Sequence, residues 1–134
     1  LESIDAVGVP VLTKREDIAN ARLRFANGCV VNLTASRISP EKMRKIRVFQ
    51  GDAYLSLDYQ EQSGEIYRKG MLGIKKEEVK VEKEEPLKVE LASFCECAAE
   101  GYTPKVSGHE AAAALQVAVQ ITGLIESGEG RMEF

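Results

Sequence analysis

Tryptophan is absent, and Phe and Tyr together make up only 6% of the chain. Whatever core forms must therefore be built from aliphatic side chains. Histidine occurs once, as His109. A nucleophilic triad or a His-rich metal centre then lacks its usual base or ligands. Cysteine occurs three times, at Cys29, Cys95 and Cys97. The count is odd, and Cys95-x-Cys97 has neither zinc-ribbon nor redox spacing, which excludes a disulfide framework and fits a reducing cytoplasm. No apolar run reaches the length of about 18 residues that a membrane-crossing helix needs. There is no excess of cations either: the formal net charge is −3. Nucleic acid is thereby disfavoured as a partner, since phosphate binding draws on a basic surface.

At 134 residues and 44% apolar composition, the length fits one domain with one core. The N-terminal Leu1-Glu2-Ser3-Ile4-Asp5 lacks the basic and apolar regions of a signal peptide. It also reads as starting mid-phrase, so the expectation is a piece of a longer protein, residues 1–134 forming a single C-terminal domain.

Residues 1–18 read as a connecting arm with a short strand. Then Ala21-Arg22-Leu23-Arg24-Phe25 alternates, Asn27-Gly28 follows, and Cys29 to Ser36 resumes as a β-rich run. Asn-Gly between two such runs predicts a two-residue type I′ hairpin. That register puts Ala21, Leu23, Phe25, Val30, Asn32 and Thr34 on one face. Arg22, Arg24, Cys29, Val31, Leu33 and Ala35 fall on the other. Neither face is cleanly polar, so the expectation is that both are covered, one by helices and one by a partner subunit.

Ser39-Pro40-Glu41 marks a helix or turn start. Lys45 to Gln50 and Ala53 to Tyr59 read as strands joined at Gly51-Asp52. Glu65 to Arg68 and Val79 to Glu82 read as two more, around a Gly-punctuated loop from Gly70 to Gly73. The mixed charges of Lys75 to Glu85 read as a guarded, solvated edge. From Pro86 the period turns helical, with Leu87, Leu91, Phe94, Cys95 and Ala98 on one stripe and Gly101 closing it. Ser107-Gly108-His109-Glu110 is a capping box. It opens a second helix whose buried side is expected at Ala114, Leu115, Ala118, Ile121, Thr122 and Ile125. Strands followed by helices predict an α+β fold, a mostly antiparallel open sheet with helices packed on one face.

Chemical motifs are sparse. No Gly-x-Gly-x-x-Gly, no phosphate loop, no nucleophile elbow and no His-Glu-x-x-His occurs. One cluster stands out: Arg37, Lys42, Arg44, Lys45 and Arg47, directly after Thr34-Ala35-Ser36. A strand ending in Ser36-Arg37 presents a hydroxyl and a planar guanidinium at a sheet rim, a pairing suited to phosphate or carboxylate. The competing explanation is a basic rim paired with Glu77 to Glu85. The cluster holds no interleaved aromatic ring for stacking nucleic acid. Ser36, Arg37, Lys45 and Arg47 are the candidate substrate-binding residues.

The stretch Asp17-Ile18-Ala19-Asn20-Ala21-Arg22-Leu23-Arg24-Phe25-Ala26-Asn27-Gly28, running on to Arg37, resembles the hairpin that opens the second domain of the Gfo/Idh/MocA oxidoreductases. The ending resembles that family too, with Pro86-Leu87 opening a helix, then Phe94, Pro104, Ser107-Gly108 and an Ala/Leu-rich helix to Ile125. The resemblance covers about Asp17 to Glu126. It implies a whole enzyme with an N-terminal Rossmann domain, outside this chain, that holds NAD or NADP. It implies hydride transfer between the nicotinamide and a hydroxyl-bearing carbon of a sugar, cyclitol or nucleotide sugar. It also implies a homo-oligomer assembled through the sheet. The family's Glu-Lys-Pro motif and Asp/His helix have no counterpart here: Glu82-Lys83-Glu84-Glu85-Pro86 separates Lys from Pro. No catalytic residue, cofactor-binding residue or metal ligand is therefore assigned, and the chain alone is expected to be inactive. Thr34-Ala35-Ser36-Arg37 with the basic stretch after it is most similar to members acting on nucleotide-activated amino sugars, the UDP-N-acetylglucosamine dehydrogenases. The alternative from the residues alone is a non-catalytic assembly or anion-binding module.

Overall fold

The computed structural model describes residues 1–71 and 73–128. Among the described residues seven strands precede two helices, in the predicted α+β order. The strands form two antiparallel sheets, ordered β1-β2-β3 and β4-β5-β6-β7. The chain divides into two compact units, residues 1–40 with 103–134, and residues 41–102.

The first unit holds β1 (Ser3–Val9), β2 (Ile18–Arg24), β3 (Val30–Ser36) and α2 (Gly108–Glu126). The short strand expected in the connecting arm is β1, paired along its whole length with β2. The β2–β3 hairpin forms where expected but in another register. Arg24 pairs with Val30, Leu23 with Val31 and Ala21 with Leu33. Phe25 and Cys29 close the ladder, the Phe25 N–H donating to the Cys29 carbonyl at 3.0 Å. The loop is therefore Ala26-Asn27-Gly28, three residues long. A type I′ turn needs positive φ at both central residues, and only Gly28 has it here, at 82°.

One residue of slip reverses every side chain of a strand, so the faces sort differently from the expectation. Ala19, Ala21, Leu23, Val31, Leu33 and Ala35 share one side, while Asn20, Arg22, Arg24, Asn32 and Thr34 share the other with the exposed Val30. On the polar side Thr34 Oγ1 donates to Asn20 Oδ1 at 2.8 Å. This is the ordinary alternation of a half-solvated sheet, and it removes the two-sided argument for a partner on this hairpin.

α2 starts on its expected capping box, Ser107 Oγ accepting from the Glu110 N–H at 3.5 Å and the Glu110 carboxylate from the Ser107 N–H at 2.6 Å. Only its C-terminal half packs. Ile125 is buried and Val117, Ile121 and Leu124 are half-buried, whereas Ala114, Leu115, Ala118 and Thr122 are exposed. The expected stripe was thus too long and rotated, because the helix meets β1 rather than lying along the whole sheet. Gly8 permits the approach: a Cβ there would strike Ile125 Cγ2 at 2.5 Å and the Glu16 side chain. Among the described residues the buried apolar side chains are Ala21, Leu23 and Ile125, a smaller core than the length suggested.

The second unit holds β4 (Lys45–Phe49), β5 (Ala53–Asp58), β6 (Ser63–Gly70), β7 (Gly73–Val79) and α1 (Pro86–Glu100). Ser39-Pro40-Glu41, before it, is a bend with no helix. β4 and β5 are joined at Gly51-Asp52 as expected, the Gln50 N–H donating to the Ala53 carbonyl at 2.8 Å. Gly70 and Gly73 of the expected loop pair as the last rung between β6 and β7, and Leu72 lies outside the described residues. β7 ends at Val79, so the expected strand at Val79 to Glu82 lies almost wholly beyond it. The charges of β7, Lys75, Lys76, Glu77 and Glu78, do line a sheet edge.

One face of this sheet is aliphatic, with Ile46, Val48, Leu55, Leu57, Ile66 and Val79 in register. α1 is capped by the Glu85 carboxylate, which accepts from Leu87 and Lys88 N–H groups, and closes at Gly101 with φ 71°. No residue of α1 is buried, so its apolar stripe of Leu87, Leu91 and Phe94 faces solvent. Cys95 is exposed and Cys97 half-buried.

Candidate functional site

The predicted site residues divide between the units. Ser36 and Arg37 end β3 in the first; Lys45 and Arg47 stand on β4 in the second.

In the first unit a cavity of about 570 Å³ lies between the β2–β3 sheet and α2. Its floor is apolar, from Ala19, Ala21, Leu33, Ile121 and Ile125, and Arg15, Ser36 and Arg37 stand on its wall. Beneath Arg37 is Asp17, buried to 2% exposure. Its Oδ2 accepts from the backbone N–H groups of Val11 (2.9 Å), Leu12 (2.6 Å) and Thr13 (2.8 Å), and its Oδ1 from the Thr13 hydroxyl at 3.0 Å. These donors, Leu12 first and then Thr13, hold its carboxyl at about 2, against the opposing push of desolvation. A carboxylate that collects several backbone donors is stabilised as the anion. Asp17 thereby ties the whole β1–β2 connection to one buried charge.

Arg37 shares that charge. Its backbone N–H donates to the Asp17 carbonyl at 2.9 Å, and its Nε lies 3.9 Å from Asp17 Oδ1. The side chain is 63% exposed, so the guanidinium is tethered at its root and open at its tip. Ser36 is differently placed. Its hydroxyl accepts from the Ile38 and Ser39 N–H groups at 3.3 and 3.2 Å and from the Ser39 hydroxyl at 2.8 Å. It shapes the turn after β3 and is poorly free to meet a ligand.

In the second unit Lys45 forms an ion pair with Asp58 at 3.2 Å. The Glu61 N–H, followed by Lys45, lowers the Asp58 carboxyl below its ordinary range. Lys45 lines a polar cavity of about 420 Å³ with Ser56, Asp58, Gln62 and Glu65. Arg47 stands opposite Ser56 in register and makes no ion pair among the described residues. The suggested pairing of the basic stretch with Glu77 to Glu85 is absent from the ion pairs of the described residues; Glu77 pairs with Lys75 instead.

Sequence reasoning missed two features. Asp17 sits in an unpatterned charged stretch, where no periodicity marks a residue that gathers N–H groups from a loop. The other is a row of stacked rings, Phe49, Tyr54 and Tyr67. The equal spacing of Phe49 and Tyr54 about the Gly51-Asp52 turn was its available signal. His109 lies in the first turn of α2 and belongs to neither cluster.

Nothing among the described residues fits a dinucleotide. Both sheets are antiparallel, and no strand–Gly-rich turn–helix unit is present to cradle a pyrophosphate.

No family model matches the chain. The chain is nonetheless a homologue of a Gfo/Idh/MocA oxidoreductase, matching the C-terminal part of that protein. The relative that shows this is UDP-N-acetylglucosamine 3-dehydrogenase of Acidithiobacillus ferrooxidans, 33% identical over 133 residues, covering 92% of this chain and 42% of that protein. The solved structures of that enzyme, GnnA, in two crystal forms match with TM-scores of 0.87 and 0.86 at 31% and 30% identity. They cover 94% and 93% of this chain and 41% and 40% of theirs. A Desulfitobacterium hafniense protein assigned as an NADPH-dependent oxidoreductase shares the fold, with TM-score 0.77 at 15% identity over 93% of this chain and 40% of its own. The chain thus spans about two fifths of the length of the relatives it matches.

Proposed function

We propose that this chain is the substrate-side C-terminal domain of a cytoplasmic NAD- or NADP-dependent dehydrogenase. The substrate class is a nucleotide sugar, with UDP-N-acetylglucosamine first among candidates, oxidised at a hydroxyl-bearing carbon. The observation that carries this reading is 33% identity across nearly the whole chain to an enzyme named for that reaction. The chain's own contribution is electrostatic. In the first unit Arg37, rooted on Asp17 and open at its tip, is a cation suited to an anionic group of the substrate, and Ser36 shapes the turn that presents it. In the second unit Arg47, without an acidic partner among the described residues, is suited to a diphosphate, with Lys45 beside it on β4. No described residue takes a catalytic role, and the nicotinamide is assigned to the longer protein.

We also propose that the protein is a homo-oligomer. With the β2–β3 apolar side turned toward the α2 cavity, the surface that best suits self-association is the aliphatic face of Ile46, Val48, Leu55 and Leu57.

The deciding experiment incubates the full-length protein with UDP-N-acetylglucosamine and NAD or NADP and follows nicotinamide reduction by absorbance. Turnover of the nucleotide sugar well above that of free N-acetylglucosamine is expected. Equal turnover of the two would remove the role given to the cations, and none with either cofactor would overturn the reading.

A further inference from the structure

β4 is an edge strand of the four-stranded sheet. Lys45, Arg47 and Phe49 share one of its faces, since alternate residues of a strand point the same way. Across that face Phe49 pairs with Tyr54, and Tyr54 with Tyr67. The first two ring centroids are 4.7 Å apart with planes 19° from parallel; the next two are 5.5 Å apart at 26°. The rings are therefore stacked plates in a row running across the strands. Its end toward β7 is closed by Lys76, whose Nζ lies 5.8 Å from the Tyr67 centroid and 2.6 Å from Glu65. Its outer end is open: Phe49 is 76% exposed, and no ring among the described residues stacks on its far side.

We propose that this open end is a base-stacking position, where the pyrimidine of a uridine-diphosphate sugar extends the row on Phe49 while its diphosphate runs along Arg47 and Lys45. The proposal rests on the nucleotide-sugar reading above and adds to it the residue that holds the base. A nucleotide needs a flat apolar plate and cations a short step away. Successive same-face positions of a strand are about 6.7 Å apart, so the plate and two cations lie along one line on β4. Aromatic faces stack bases through their π systems, and Arg presents a planar fork to phosphate oxygens. Because Lys45 is paired with Asp58 at 3.2 Å, Arg47 is the principal phosphate contact and Lys45 the weaker one. The two rings behind Phe49, Tyr54 and Tyr67, keep it from rotating away, so little side-chain freedom is lost when the base arrives.

The test uses calorimetric titration of the full-length protein with UDP and, separately, with inorganic pyrophosphate. Phe49→Leu should weaken UDP binding by about 5- to 150-fold, the range for one base–aromatic stack, and leave pyrophosphate unchanged. Phe49→Tyr should restore UDP binding, and Arg47→Ala should weaken both ligands. The uracil ring protons of bound UDP should shift upfield in the wild type and less in Phe49→Leu. Unaltered UDP affinity in Phe49→Leu overturns the proposal, as does an equal loss for UDP and pyrophosphate. A change of sedimentation with UDP affinity intact would assign Phe49 to a contact between copies and equally overturn it. If the wild type oxidises UDP-N-acetylglucosamine while Phe49→Leu binds UDP normally, only the stacking position fails. If the wild type neither turns over the sugar nucleotide nor binds UDP, the function reading falls with it.

Discussion

Asp17 concentrates more of the local structure than any other single side chain described. Three backbone donors and one hydroxyl converge on its carboxylate, and without it those donors would have to find water. Its folded pKa, about 2, lies below the unfolded value near 3.9. The stability it contributes is therefore complete above about pH 4 and drains away as the pH falls toward 2. Asp17→Asn should lower the urea midpoint at neutral pH and flatten its decline in acid; parallel curves for the two proteins would refute this role. Arg37 depends on the same group for its placement. If its guanidinium meets an anionic group of the substrate equally in ground and transition states, Arg37→Ala in the full-length enzyme should raise KM about 10- to 150-fold with kcat nearly constant. Arg37→Lys should recover only part of that, and an unchanged KM would demote Arg37 to surface rim. The cations were legible in the sequence because charge clusters in a string of letters. The anchor beneath them was not, since a buried acid in a loop carries no repeat.

At the level of elements, the capping box of α2 and the Gly101 closure of α1 were readable because each is a local hydrogen-bond pattern with its own residues. Register was not. Asn27-Gly28 marked the hairpin correctly, yet the choice between two and three loop residues depends on whether Asn27 takes positive φ, which composition does not determine. That single residue decided which side of β3 is apolar. The docking of α2 was likewise partly legible, its helical period being clear and its contact length not. Gly8 sets that contact, because any Cβ there meets Ile125. Gly8→Ala should destabilise the first unit by about 1–3 kcal/mol through overpacking, read as a lowered thermal midpoint. An unchanged midpoint would mean that α2 does not rest on β1 in solution.

For the whole molecule, strands first and helices after was enough to place the chain in the α+β class. The sorting of seven strands into two sheets was beyond the pattern, since hydrophobic alternation reports faces and not partners. The same blindness applies to assembly. The exposed aliphatic face around Leu55 is the place where self-association should be tested: Leu55→Lys should reduce the sedimenting mass of the full-length protein while circular dichroism is preserved. A wild type that is already monomeric at high micromolar concentration would end that proposal. The division of the chain also has a consequence for how the protein comes into being. Residues 41–102 are continuous, and their strands pair only with sequence neighbours. The first unit instead joins Gly8 to Ile125, at opposite ends of the chain. Short loops close quickly and distant ones slowly. On the ribosome the four-stranded meander can mature as it emerges, while β1 to β3 wait, with Leu23 and Ala21 uncovered, for a helix that is made only after the whole meander.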